Sequence, residues 1–188
     1  LTRRRLLRFS TVIQRPHWIL VEHILRKCTD GSWSNSDSLM VVKHGDWDRC
    51  FVTIDEVLSS PKYRSIFQHF KCGIDWSETE LFHQYRNRIE KQGALGAHRS
   101  IDSLVAYYKT TYDVLYREIA VSGLQAPSIW KPHIRPMFVH IDRHGDLMWT
   151  TEGNHRLAIA HCLGVERIPV YLFWRHQLSP NGIERWAV

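Results

Sequence analysis

The chain has no pair of cysteines spaced to form a metal knuckle. Its four are Cys28, Cys50, Cys72 and Cys162, and without a C-x-x-C spacing a structural zinc site is not expected. A chain of 188 residues can bury a core without disulfides, so reduced thiols in a cytoplasm are the simpler expectation. Long apolar runs are missing too. No stretch approaches the roughly 20 residues that cross a bilayer, so no membrane span is expected. The opening "LTRRRLLRFS" carries charge but no adjoining apolar run, which argues against a signal peptide. It also lacks an initiator Met and is compatible with a fragment start. Internal repeats and low-complexity tracts are absent as well.

What is present fits an ordinary globular protein. Hydrophobic residues make up 44% of the chain and charged residues 23%, which leaves room for both a core and a solvated surface. The formal charge is +6 with 12 histidines uncounted, a balance that favours anionic partners: nucleotides, phosphorylated substrates, nucleic acid or a membrane surface. Arg3, Arg4, Arg5 and Arg8 cluster at the start. They suit either a solvated basic terminus or a contact to nucleic acid.

Periodicity and punctuation divide the chain into a helix-rich part over residues 1–125 and a strand-bearing core over 126–188, expected to form one integrated α+β domain. Pro16 can open a helix running to about Lys27, with Trp18, Val21, Ile24 and Leu25 as its stripe. A short strand is expected near 39–44. Thr53 and Glu56 have capping-box spacing, and Ser60-Pro61 can open a helix that ends near Gly73. Ser77 and Glu80 repeat the capping-box spacing ahead of a helix that stops at Gly93. A third helix opens near Ser100 and closes at Gly123. Beyond it, "MFVHI", the turn "DRHGD" and "LMWTT" read as a hairpin. A sharp turn, a helix from about His155 to Leu163 and the strand "IPVYLF" complete the core.

The turn carries the chemistry. In "TTEGNHRLAIAHCLG" a glycine and four polar or charged side chains open a helix that is otherwise nearly all apolar. A helix start offers backbone N–H groups without intrahelical acceptors and the positive end of the dipole. Gly153 would let backbone approach a ligand, Arg156 can fork onto phosphate oxygens, and His155 can add a hydrogen bond. Glu152 can hold Mg²⁺ or accept a proton. The alternative is a plain helix cap at Asn154 with His155 and Arg156 solvated.

The segment "HIDRHGDLMWTTEGNHRLAIAHCLGVERIPVYLF" resembles the core of the ParB/sulfiredoxin-like superfamily. Gly145, Glu152, Gly153, His155, Arg156, Ala160, Leu163, Gly164, Ile168, Pro169 and Val170 fall in register with its pattern. The resemblance implies a small mixed sheet of the ParB/sulfiredoxin type, the helix-rich N-terminal part packed around it. It also implies a nucleotide whose phosphates sit on Gly153, Asn154, His155 and Arg156. Sulfiredoxin-like members place a nucleophilic cysteine where this chain has Asn154, so that chemistry is not expected. ParB proteins usually continue into a helix-turn-helix domain, and none is recognisable here up to Val188. The free-serine kinase branch, with an acidic residue before G-x-H-R, is closest in motif. Its pattern would make Glu152 a catalytic base or metal ligand. "HGDWD", "SPKYRSIFQHF", "GIDWSETELF" and "YDVLYREI" extend the likeness to ParB-like proteins of microbes and their mobile or sugar-biosynthesis loci.

Other candidates lie outside the turn. Asp46 and Asp48 would share a face of an extended segment and could serve a metal or a substrate hydroxyl, or simply satisfy local backbone N–H groups. Asp75, Glu78 and Glu80 form an acidic helix start. Arg175 and His176 follow the last strand, where they could meet a nucleotide or a phosphorylated substrate. The expected function is a kinase-like phosphotransferase using Mg²⁺ and ATP, ADP or another nucleotide on a small hydroxylated acceptor. The alternatives are a nucleotide-controlled DNA-binding module or nuclease, and a non-catalytic partner-binding protein.

Overall fold

Strand pairing, not local periodicity, decides the structure near the start of the chain. The computed structural model describes residues 15–30, 41–127, 134, 136–150, 152–180 and 182–188; the basic cluster at Arg3, Arg4, Arg5 and Arg8 lies outside them. Pro16 to Lys27 is not the helix that its apolar spacing suggests. It forms β1 (His17–Leu20), a 3-10 turn (Val21–His23) and β2 (Ile24–Cys28). Trp18 and Leu25 of the supposed stripe are exposed, while Ile19, Ile24 and Cys28 are buried. Partners far along the chain supply the hydrogen bonds, and such pairing overrides helical spacing.

The chain divides into two compact units, one of residues 1–57, 124–154 and 165–188, the other of 58–123 and 155–164. Strands from both sides of residue 125 therefore share the first unit. Its mixed sheet adds β3 (Val41–Lys43), β4 (Phe51–Thr53), β5 (Phe138–Ile141), β6 (Leu147–Trp149) and β7 (Arg167–His176). The strand order is β1-β7-β5-β6-β2-β4, with β3 also beside β7. β5 and β6 form the expected antiparallel hairpin, whereas β7 runs parallel to β5 and β3 and antiparallel to β1. From Ile168 to Trp174 every β7 side chain is buried, the continuous apolar run of a strand covered on both faces. Cys28, Trp47, Phe138, Met148, Tyr171, Phe173 and Trp174 pack into one cluster there.

Helices make the second unit. Just before it, α1 (Ile54–Leu58), which belongs to the first unit up to Val57, opens with the expected capping box: Thr53 Oγ1 accepts from the Glu56 N–H at 3.3 Å, and Glu56 Oε2 accepts from the Thr53 N–H at 2.7 Å. Then come α2 (Pro61–Cys72), α3 (Glu80–Gln92), α4 (Ile101–Tyr108), a π-helical turn (Lys109–Asp113), α5 (Val114–Ser122) and α6 (Asn154–Leu163). Ser77 and Glu80 do not form a capping box. Ser77 belongs to a 3-10 turn capped by Asp75, and α3 begins only at Glu80. Its first N–H groups are met from α2 instead. Gln68 Oε1 accepts from Glu80 N at 3.2 Å and buried Ser65 Oγ from Leu81 N at 2.8 Å.

An aromatic core holds this unit. Trp76 and Phe82 are fully buried. The Trp76 indole donates to Asp113 at 2.9 Å, and His69 stacks on it at 4.1 Å. Asp113 thereby anchors the end of the π turn, while Lys109 at its start pairs with Asp75 at 2.7 Å. No helix among the described residues is long and apolar enough to cross a membrane.

Candidate functional site

Glu152, Gly153, Asn154, His155 and Arg156 lie on one continuous turn into α6. Gly153 has φ +79°, a left-handed conformation in which other residues are strained. A Cβ there would also lie 3.0 Å from Met137 Cγ and 3.4 Å from Trp149 Cζ2. The space left by the missing side chain is therefore filled by the protein's own core. Asn154 stands inside the helix as its first residue, and its carboxamide oxygen accepts from the Trp149 indole at 3.1 Å. Glu152 is exposed, with its N–H donating to Thr150 Oγ1 at 3.3 Å.

The two basic residues of the turn are not solvated. Arg156 is 8% exposed and engaged within the protein. His155 stacks on Tyr112 of the π turn, with ring centroids 4.1 Å apart, and meets Tyr108 edge-on at 6.1 Å. Its Nε2 is buried and has no hydrogen-bond partner. Burial pushes the imidazole down to about 3, and the nearby Lys62 ammonium pushes the same way. His155 is therefore neutral at physiological pH, with one ring nitrogen unspent in a place where water does not reach it. Such an atom is costly unless something pairs with it. π turns also occur often at functional sites.

Lys62 is not among the residues that the sequence pattern singles out. It is the second residue of α2 and half-buried, and among the described residues no hydrogen bond or ion pair holds it. Burial lowers its ammonium. A cation in the first turn of a helix opposes the dipole, so its position is unfavourable on both counts. Pro61 immediately before it marked the helix start, and a lysine just inside that start was the available signal.

Asp46 and Asp48 belong to a different kind of cluster, in the sheet unit. Asp48 is 4% exposed. Its two oxygens accept from Arg143 Nη2 at 2.6 Å, Nε at 2.8 Å and the Arg143 N–H at 2.9 Å. Asp46 accepts from the same Nη2 at 2.7 Å. Burial alone would raise the Asp48 carboxyl, but the Arg143 hydrogen bonds outweigh it and hold it down to about 2. Arg143 also lowers Asp46. Next along the hairpin turn, buried Asp142 pairs with Arg26 at 2.8 Å, and its Oδ1 accepts from the His144 and Asp146 N–H groups.

His176 is likewise spent. Its Nε2 donates to the Gly45 carbonyl at 2.8 Å and its Nδ1 accepts from Leu178 N at 3.1 Å. Arg175 is half-buried and makes no ion pair among the described residues. Asp75 pairs with Lys109, Glu80 with Arg64 at 2.6 Å, and Glu78 accepts from Ser77 Oγ. No family model, curated protein or solved structure matches the chain. Function has to be read from the side chains themselves.

The donor set can be tested against the groups that the resemblance implies. Among the described residues no three His, Cys, Asp or Glu side chains gather as a metal site. Glu152 is a single exposed carboxylate, which suits Mg²⁺, because that ion binds one or two carboxylates and completes its shell with phosphates and water. The unpaired His155 nitrogen and the uncompensated Lys62 suit a phosphate. The helical unit also contains an apolar cavity of about 600 Å³ lined by Tyr63, Phe67, Ala158, His161 and Cys162 among others. Arg64 and Gln68 on its walls are already bonded to Glu80, so it offers little to an anion.

Proposed function

We propose that this chain is a nucleotide-binding phosphotransferase of the ParB/sulfiredoxin type, acting on a small hydroxylated acceptor. The observation that carries this reading is the buried, unpaired Nε2 of His155 in the first turn of α6. A neutral imidazole whose buried ring nitrogen has no hydrogen-bond partner is poorly placed for stability and could be satisfied by a phosphate oxygen. The G-x-H-R resemblance puts the nucleotide phosphates at the same turn. Phosphoryl transfer asks mainly for positioning and charge neutralisation; the helix start offers partial positive charge, and the neutral His155 a hydrogen bond for positioning.

Glu152 is the remaining carboxylate of the turn and takes the base or metal-ligand role. Mg²⁺ held by Glu152 and the phosphates would neutralise charge on the transferring group. Asp46 and Asp48 are less suited to the base role because Arg143 already occupies their oxygens. The test is binding of ATP, ADP, CTP and GTP to wild type, with and without Mg²⁺, followed by turnover with sugar and amino-acid alcohols. Glu152→Gln is expected to keep nucleotide binding and lose about 100-fold or more in turnover, the usual scale for removing a general base. A well-folded wild type that binds none of the four nucleotides at millimolar concentration would reject the proposal.

A further inference from the structure

We propose that the cavity lined by α2 and α6 in the helical unit binds a small, uncharged, largely apolar molecule that carries a hydroxyl, with the Tyr63 hydroxyl as that group's partner. The site goes beyond the phosphate reading of the α6 turn and does not depend on it. Its lining residues all belong to one unit. Tyr63 and Phe67 stand one turn apart on α2, as do Ala158 and Cys162 on α6. The space is about 600 Å³, inside the roughly 300–1,000 Å³ of small-molecule pockets. Phe67 is exposed although it lines the cavity, so the space opens to solvent on that side.

The polar groups of the wall set the ligand class. Arg64 is paired with Glu80 at 2.6 Å, and Gln68 spends its side-chain oxygen on the Glu80 N–H. Burial raises the Tyr63 hydroxyl and the Cys162 thiol and lowers the His161 imidazole, so all three are neutral at physiological pH. An ion entering here would lose water without gaining a counter-charge. Two of the neutral groups are nonetheless unspent. Tyr63 is 6% exposed, and neither its hydroxyl nor His161 Nε2 has a hydrogen-bond partner among the described residues. A buried hydroxyl without a partner costs stability, and phenylalanine would fill the same space without that cost. Apolar walls with a few polar groups to orient the occupant are the usual makeup of a small-molecule pocket. A ligand hydroxyl can donate or accept, so it can pair with Tyr63 as that side chain turns towards it. A hydrocarbon would leave the phenol as it is.

The experiment titrates the full chain calorimetrically with naphthol, naphthalene and naphthoate, which share a ring system and differ in carrying a hydroxyl, no polar group or a carboxylate. Wild type is expected to bind naphthol about 3- to 10-fold more tightly than naphthalene, the scale of one neutral hydrogen bond, and naphthoate most weakly. Ala158→Leu places a larger side chain on the cavity wall and should weaken naphthol and naphthalene alike, by about 10-fold or more. Tyr63→Phe keeps the ring, so it should bring naphthol down to the affinity of naphthalene and leave naphthalene unchanged. It should also leave Tm unchanged or raised, whereas a hydroxyl that holds the fold together would give a lower Tm. If Ala158→Leu fails to fold, the comparison of naphthol with naphthalene in Tyr63→Phe still decides the matter. A folded wild type that binds none of the three probes, or that prefers naphthoate, would overturn the proposal. So would a Tyr63→Phe variant that keeps the full preference for naphthol. None of these outcomes alters the nucleotide reading, which has its own test.

Discussion

The two units treat buried charge in opposite ways. In the sheet unit, Asp48 is as buried as many core residues, yet three hydrogen bonds from Arg143 saturate its oxygens. Asp142 is handled similarly by Arg26 and two backbone N–H groups. In the helical unit, Lys62 and His155 Nε2 are drawn out of water with no such partners among the described residues. A saturated cluster holds structure together. An unsaturated one is a debt to stability that a ligand can cancel. Asp46 and Asp48 stood out in the sequence as candidates, and the Arg143 contacts give both a structural partner.

The contrast has opposite signs under mutation. Arg143→Ala is expected to be the most damaging single change, since it leaves the buried Asp48 carboxylate alone. Removing one partner of a buried ion pair is strongly destabilising, and a fall in Tm of about 10 °C or more is expected by thermal denaturation. Lys62→Met should move Tm the other way, by about 2 °C or less. Equal losses in the two variants would erase the distinction between the clusters.

A smaller effect belongs to the turn itself. Gly153→Ala forces a left-handed alanine against Met137 and is expected to cost about 1–2 kcal/mol in urea unfolding. A stability equal to wild type would mean that the turn is not held by the packing described here.

Two histidines, His140 buried and His155 partly so, refine the comparison further. His140 stacks on Trp174 at 4.7 Å and, like His155, is pushed down to about 3, chiefly by burial. Both stay neutral while the same residues in the unfolded chain begin to charge near 6.5. Their contribution is therefore complete above pH about 6.5 and is lost as pH falls towards 3. His140→Phe keeps the ring and removes the proton site, so the slope of stability against pH between 6.5 and 3 should become shallower. An unchanged slope would show that His140 does not titrate with unfolding.

Local signals made much of the helical unit legible. Thr53 with Glu56, Ser60-Pro61, and the glycines at 73, 93 and 123 mark helix ends that the structure shares. The β5–β6 hairpin and the turn into α6 were equally readable, because their residues are neighbours in sequence. Long-range relations were not. Pro16 to Lys27 has a helical rhythm, and its pairing with β4, β6 and β7 makes it two strands. Nothing near "DRHGD" announces that Arg143 reaches aspartates 95 and 97 residues away. Gly153 is another case. A glycine at the mouth of a helix suggests close ligand approach, but here its missing side chain is replaced by Met137 and Trp149.

The most direct test of an unsatisfied phosphate site is an NMR titration of the full chain with inorganic pyrophosphate, following the imidazole signals of His155 and His140. The His155 ring resonances, assigned by their loss in His155→Gln, are expected to shift saturably, while those of His140 stay fixed. A folded protein in which pyrophosphate leaves His155 as unmoved as His140 would contradict the assignment of the α6 turn as a phosphate site.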